Sequence, residues 1–227
     1  MYIPPAFRES TPETLHALMR AHPLALLVTH GPGGLMASPV PFLIYPDEGE
    51  HGVLRAHVAR ANPHWRELAG LDECLVVFQG EEGYVTPSWY ATKAATGKVV
   101  PTWNYATVHA WGRPTAVEDA GWLRRQIADL TRLQEDRRPE PWAVDDAPAD
   151  FIAAQMKAIV GIEIPIVRIE ERRIFRGIGA RGFCSIQTTV ACAITLRITF
   201  GKASLSISSD AMKRMPFGAR VLFATRA

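Results

Sequence analysis

Short apolar segments separated by glycine-containing polar turns constrain the fold of this chain more than any other feature. Residues 24–28, 35–45 and 52–59 are mainly apolar, and the turns at 30–34 and 47–50 separate them. Apolar runs of this length with tight turns between them are typical of β-hairpins. The sequence therefore predicts that these three segments pair as antiparallel strands.

The apolar pattern continues beyond residue 70 and predicts the rest of the sheet. Residues 73–80 and 83–87 are expected to form a hairpin around the polar turn between them, and residues 99–117 one long strand. Residues 161–169 place isoleucine at alternate positions, which predicts a closing strand. Pro165 within it indicates an edge position, because proline has no N–H to donate to a neighbouring strand.

Apolar residues spaced three and four positions apart predict helices among these strands. The spacing indicates helices over residues 12–22, 119–134 and 151–160, and Asn62 followed by Pro63 is typical of the start of a short further helix. Short antiparallel strands with inserted helices predict an α+β fold that is mainly β, a small barrel with helices on its outside.

The composition is that of an ordinary globular protein. Of the 227 residues, 48% are hydrophobic and 21% are charged. No apolar run approaches the ~20 residues that a membrane-spanning helix needs, and the first 20 residues lack the pattern of a secretory leader. We therefore expect a cytoplasmic protein without a membrane segment.

The cysteines indicate neither a disulfide framework nor a metal site. Cys74, Cys184 and Cys192 are odd in number, and no two of them have C-x-x-C spacing. A zinc ribbon requires paired ligands at such spacing. We predict buried, reduced thiols and no metal.

The last 57 residues differ in composition from the rest of the chain. Residues 1–170 carry 15 basic and 21 acidic residues, a net charge of −6, whereas residues 171–227 carry 10 and 2, a net charge of +8. Every tryptophan, tyrosine and histidine precedes residue 171. We predict a domain over 1–170 and an atypical basic tail over 171–227. The tail is either two more strands with a basic end, or a frameshifted or foreign extension.

The first candidate site lies where a predicted strand meets a helix N-terminus. His57, Arg60 and Asn62 fall within nine residues of sequence there. Backbone N–H groups at a helix N-terminus and the planar fork of arginine both suit a phosphate group. The alternative interpretation is that Arg60 pairs with a nearby carboxylate and His57 packs in the sheet.

Two further candidate stretches follow in the chain. Residues 84–93 combine aromatic side chains with Ser88 and Lys93, which suit a planar ring and a phosphate, although an aromatic loop covering the core explains them as well. In the next strand, Trp103 is expected on one face, together with Tyr105 and His109, and Asn104 on the other. For His109, a satisfied core histidine is the alternative.

Familiar catalytic signatures are absent from the sequence. It contains no G-x-S-x-G, H-E-x-x-H or G-x-x-x-x-G-K-[ST] motif. Residues 177–182 match G-x-G-x-x-G, but the residues after them do not predict the helix that dinucleotide binding requires. No pair of predicted helices reads as a helix-turn-helix. We therefore assign no catalytic residue.

Taken together and in this order, the candidate stretches resemble the PaiB family of FMN-binding negative transcriptional regulators. The resemblance covers roughly residues 1–170 and rests on residues 1–7, 57–65, 84–93, 100–105 with His109, and 160–165. It implies an FMN-binding split β-barrel that forms a homodimer, with FMN at the subunit interface.

The resemblance also implies roles for individual residues. Arg60, Asn62, Ser88 and Lys93 would contact the phosphate or ribityl group, and His57, Trp103 and Asn104 would lie near the cofactor. Two departures from the family pattern stand out. Pro39 replaces an expected histidine, and the stretch after residue 170 differs from the family sequence.

Three functions remain open at this point. The first is a PaiB-like regulator that binds FMN as a ligand without turnover. The acidic domain argues against tight DNA contact by this domain, so DNA binding would fall to the basic tail or to a partner. The second is an FMN-dependent oxidoreductase, such as a flavin reductase or a pyridoxamine-phosphate-oxidase-like enzyme. The third is an interaction module without a cofactor.

Overall fold

The alternating apolar segments form one antiparallel sheet in the computed structural model. The structure describes residues 8–9, 11–90, 93, 96–174, 196–200 and 203–207, and the chain divides into two units, residues 1–177 and 178–227. The strands of the first unit are β1 (Arg8–Glu9), β2 (Leu24–Gly31), β3 (Gly34–Pro41), β4 (Leu43–Tyr45), β5 (Val53–Ala59), β6 (Cys74–Val85), β7 (Thr102–Gly112), β8 (Thr115–Val117) and β9 (Ile159–Ile174).

The long strand β9 joins two parts of the sheet. The strand order is β3-β2-β6-β7-β9-β5-β4, and β1 and β8 also pair with β9. Residues 159–165 of β9 pair with β5, and residues 166–174 pair with β7. A sheet whose central strand changes partners along its length curls on itself. The predicted mainly β fold, a split β-barrel with peripheral helices, is confirmed.

The predicted helices are also confirmed, with small shifts of their ends. They are α1 (Pro12–Ala21), the short α2 (His64–Glu67), α3 (Ala120–Glu135) and α4 (Ala149–Lys157). Helix α3 begins where Asp119 accepts a hydrogen bond from the Trp122 N–H at 2.7 Å, a common N-cap arrangement. In α1, Leu15, Leu18 and Met19 are buried, as their spacing indicates.

The core lies between the inner faces of the strands. Its most deeply buried members include Leu27, Leu54, Val76, Phe78 and Val108, each fully or almost fully removed from solvent. These residues alternate with more exposed ones along their strands, so the two-residue period of the sequence determines which face is buried.

The hairpin predicted around residues 80–83 is wrong. Strand β6 continues from Cys74 to Val85, and its register against β7 shifts between Gln79 and Glu82. Two residues, Gly80 and Glu81, therefore face the single residue Ala106, which is the arrangement of a β-bulge. Glycine suits this position, because a Cβ on Gly80 would lie 3.2 Å from both the Cβ and the carbonyl oxygen of Ala106.

The edge position predicted for the strand at 161–169 is also wrong. Strand β9 is central, and Pro165 is the last residue paired with β5, opposite Val53, while Ile166 is the first paired with β7. A missing N–H is tolerated there because the strand changes partners at that residue. Two other predicted strands are each divided, residues 35–45 at Phe42 and residues 99–117 at 113–114.

In the second unit, β10 (Leu196–Phe200) and β11 (Ala203–Ile207) pair as an antiparallel hairpin. Two further strands were one of the two alternatives that the sequence left open for the tail. The rest of the predicted tail beyond residue 174, including Cys184 and Cys192, lies outside the described residues.

Candidate functional site

The bulge in β6 determines which side chains share the outer face of the sheet, the face opposite the core. Before the bulge, Gln79 pairs with Thr107; after it, Glu82 pairs with Tyr105 and Tyr84 with Trp103. Directly paired residues of antiparallel strands lie on the same face. The extra residue at the bulge therefore places Glu82 and Tyr84 on the same face of the sheet as Gln79.

A groove of about 340 Å³ lies on this outer face, and we call it the β6–β7 groove. Its volume falls at the lower end of the range for small-molecule sites, ~300–1,000 Å³. It is lined by Val77, Gln79, Gly80, Glu82, Trp103, Tyr105, Ala106, Thr107 and His109. The lining combines flat aromatic surface with a few polar groups, which is typical of sites for planar heterocycles.

Trp103 forms one wall of the groove. Its indole N–H donates a hydrogen bond to Glu82, and its ring packs against Tyr84 with centroids 6.0 Å apart. Both rings remain about half exposed, Trp103 at 53% and Tyr84 at 50%. Adjoining aromatic rings that are left exposed in this way are a feature of interaction and ligand-binding sites.

The other side chains of β7 lie on the faces of the strand that the sequence predicted. His109 lines the groove together with Trp103 and Tyr105, and burial is the main cause that lowers the pKa of its imidazole. Its ring contacts Trp111 edge-on, with centroids 5.5 Å apart. Asn104 is buried on the opposite face, with 2% of its surface exposed, so it is not part of the groove lining.

Ser88 and Lys93 lie after β6. The 3₁₀ turn Pro87–Trp89 begins where Thr86 accepts a hydrogen bond from the Ser88 N–H at 3.3 Å. Lys93 Nζ donates to Ser88 Oγ at 3.1 Å, and both side chains are exposed. An ammonium group beside a hydroxyl is a suitable pair of donors for a phosphate.

Arg60 and Asn62 have partners within the chain. Asn62 Oδ1 accepts a hydrogen bond from the backbone N–H of His64 at 3.0 Å, and this contact helps to begin α2. Arg60 pairs with Glu118 at 2.5 Å and donates to the carbonyl oxygens of Lys157 and Ile159. Its phosphate contact stays a prediction, and it requires that the phosphate displace Glu118, whose side chain is 58% exposed.

His57 lies on β5 beneath α3. Its Nδ1 atom is 2.7 Å from Oε1 of Gln126, which is 1% exposed. Gln126 was not predicted as a candidate, although a polar residue inside the apolar stripe of α3 is a visible signal. Gln79 and Glu82 were not predicted either, because the incorrect hairpin placed these residues at or beside a turn.

The candidate residues form two groups that are far apart along the sheet. The first group is His57, Arg60 and Asn62; the second is Ser88, Lys93, Trp103 and Asn104. His57 pairs with Gly161, whereas Tyr105, two residues from Trp103, pairs with Ile174. At ~3.3 Å per residue, these positions are about 40 Å apart along β9.

The described residues provide no activated thiol and no metal cluster. Burial raises the pKa of Cys74 to about 12, and its sulfur contacts the Gly112 carbonyl oxygen at 3.3 Å. Such a thiol is not a nucleophile at neutral pH. Within the same residues, we find no group of side chains suited to a metal ion and no helix that could span a membrane.

Comparisons with known proteins agree with these features. A family model described as "Putative FMN-binding domain" matches residues 1–168. An uncharacterized protein of Aspergillus fumigatus is 34% identical over 215 residues, covering 75% of this chain and 82% of that protein. The Bacillus subtilis protein named "Protease synthase and sporulation protein PAI 2" is 29% identical, with coverages of 75% and 79%.

A solved structure has the same fold. The flavocytochrome Anf3 from Azotobacter vinelandii matches with a TM-score of 0.55 at 13% identity, covering 96% of this chain and 92% of that protein. At this identity, the similarity concerns the fold of the barrel.

Proposed function

The chain belongs to the FMN-binding family whose model matches residues 1–168, and we propose that it is a dimeric flavoprotein with residues of both subunits around each FMN. The resemblance to the PaiB family noted from the sequence is confirmed by the same match and by the Bacillus relative. When bound, FMN supplies electron-transfer chemistry at its ring. The aromatic β6–β7 groove suits that ring, and the exposed Lys93–Ser88 pair suits its phosphate.

An apolar row on the outer face supports the dimer. On β2, Leu24 and Leu26 are directed away from the core and are 65% and 40% exposed. Leu26 pairs with Val77 on β6, and Val77 pairs with His109 on β7. An antiparallel sheet with one solvated face carries polar residues on that face. The apolar row from β2 to the groove is therefore better explained by a second copy that covers it.

The attachment of the two residue groups to different ends of β9 supports a shared site. Arg60 and Lys93 both suit the phosphate, yet their groups attach to distant parts of β9 within one chain. In a two-fold dimer, the same patches meet in both copies, so one copy's first group can face its partner's second group. The attachment of the two groups to different ends of β9 is the observation on which the proposed interfacial FMN site rests.

For biological role, we favour a PaiB-like negative regulator of transcription in the cytoplasm, in which FMN acts as a ligand. The resemblance to the PaiB family of FMN-binding negative transcriptional regulators supports this role. The acidic barrel domain favours DNA contact through the basic tail or a partner protein. An FMN-dependent oxidoreductase is the second candidate, favoured by His109, because a half-buried neutral imidazole in the groove can accept a proton.

FMN titration of purified protein tests the proposal. We expect one FMN per chain, and we expect the double variant Arg60→Ala/Lys93→Ala to weaken binding at least ~100-fold, since it removes two charge-assisted hydrogen bonds of about 1.5–3 kcal/mol each. The control is Lys98→Ala, which removes an exposed lysine close to Lys93. Equal FMN affinity in the folded double variant and the wild type would contradict the proposed phosphate site.

A further inference from the structure

Gln126 is a buried polar residue whose amide is only half satisfied. It lies on α3 near the buried Leu123, and its Oε1 is 2.7 Å from His57 Nδ1. Its Nε2 is buried and has no hydrogen-bond partner among the described residues. An unsatisfied buried donor is unfavourable, so an apolar side chain would suit packing better. The presence of a glutamine at this position is therefore explained by its contact with His57 and not by packing.

This contact determines which nitrogen of His57 carries the proton. With the Gln126 amide oriented as in the structure, its oxygen faces His57 and can only accept a hydrogen bond, so Nδ1 is the donor in this contact. In a neutral imidazole, the other nitrogen, Nε2, then has a free lone pair and can only accept. Partners of this kind fix the tautomer and the ring orientation of histidines in binding sites.

We propose that Gln126 is a positioning residue that holds His57 as the Nδ1-protonated tautomer, so that Nε2 accepts a hydrogen bond from a flavin hydroxyl or ring N–H. This inference rests on the proposed FMN function and refines it. A neutral acceptor nitrogen cannot bond to the oxygens of an ionised phosphate. His57 is therefore assigned to the ribityl group or ring, and the phosphate is left to Arg60 and Lys93.

Parallel titrations with FMN and with riboflavin, which lacks the phosphate, separate these contacts. We expect Gln126→Met to weaken both ligands by the same factor, roughly three- to tenfold, the value of one neutral hydrogen bond. Gln134→Met, at an exposed position of the same helix, should change neither affinity. Arg60→Ala/Lys93→Ala should weaken FMN and leave riboflavin unchanged.

Gln126→Glu provides a second variant that keeps an acceptor for Nδ1. Its carboxylate favours the imidazolium form of His57, whose Nε2 donates instead of accepting. We therefore expect a folded protein that binds both flavins weakly, an outcome that a merely structural role for Gln126 would not produce. Thermal unfolding of each variant shows whether the fold is intact.

Nitrogen NMR of the His57 ring tests the tautomer without any flavin. In the wild-type protein with a neutral His57 imidazole, we expect a proton on Nδ1 and none on Nε2. A proton on Nε2 would overturn it, even if the protein binds no flavin and the proposed function itself fails. A loss confined to FMN in Gln126→Met would also overturn it, as would unchanged affinity for both ligands in both folded Gln126 variants.

Discussion

Replacing Gly112 with alanine is expected to lower the free energy of unfolding by about 3 kcal/mol, the upper part of the usual range for overpacking. A Cβ on Gly112 would lie 2.1 Å from the Pro165 carbonyl oxygen and 2.7 Å from a side-chain carbon of Ile164. The first of these atoms belongs to the backbone of β9. The clash therefore cannot be relieved by rotating a side chain.

The position of Gly112 in the fold increases this effect. It is the last residue of β7, at the point where the register against β9 shifts, and both strands are needed to close the barrel. Chemical denaturation monitored by circular dichroism measures the loss. Gly83→Ala on β6 is the matched control, because a Cβ there would meet no atom within 4 Å. Equal stability of the two variants would contradict the close approach of β7 and β9.

Replacing Leu26 with glutamate is expected to convert the proposed dimer into monomers. The side chain is 40% exposed in the single chain and belongs to the apolar row that runs through Val77 to the groove. Burying two unpaired carboxylates, one from each subunit, costs several kcal/mol. We expect the dissociation constant of the dimer to rise at least ~100-fold, or about 3 kcal/mol.

Analytical ultracentrifugation with and without FMN measures this change. Phe151→Glu is the control, because it places the same charge at an exposed apolar position on α4 that does not belong to the apolar row. If the site is shared between subunits, Leu26→Glu should lose FMN affinity together with the dimer. A wild-type protein that is monomeric at micromolar concentration would refute the role assigned to the apolar row.

The sequence was sufficient for elements that local periodicity defines. Helices α1 and α3 were predicted because their apolar residues recur at helical spacing, and the β2–β3 hairpin because glycines mark its turn. The bulge in β6 was not predictable, because Gly80 and Glu81 resemble turn residues until β7 is placed beside them. Pro165 was misplaced for the same reason, since only the full sheet reveals that β9 changes partners there.

In the candidate site too, local sequence patterns predicted the faces of a strand, whereas contacts between residues distant in sequence were not predicted. Alternation along β7 correctly placed Trp103 and His109 on one face and Asn104 on the other. The partners of Arg60, however, come from residues 118, 157 and 159, and the partner of His57 comes from α3. Contacts between residues so distant in sequence depend on how α3 packs against β5 and how α4 packs against β9, which no local pattern records.

Mixing two defective variants tests the shared FMN site most directly. One variant carries His57→Ala and Arg60→Ala, the other carries Lys93→Ala and Trp103→Ala, and neither alone should bind FMN. After the subunits are exchanged, half of the dimers pair the two variants, and each such dimer has one intact site. Titration should then recover about one quarter of the wild-type sites. No recovery from a mixture shown to contain mixed dimers would place the whole site within one chain and contradict this account.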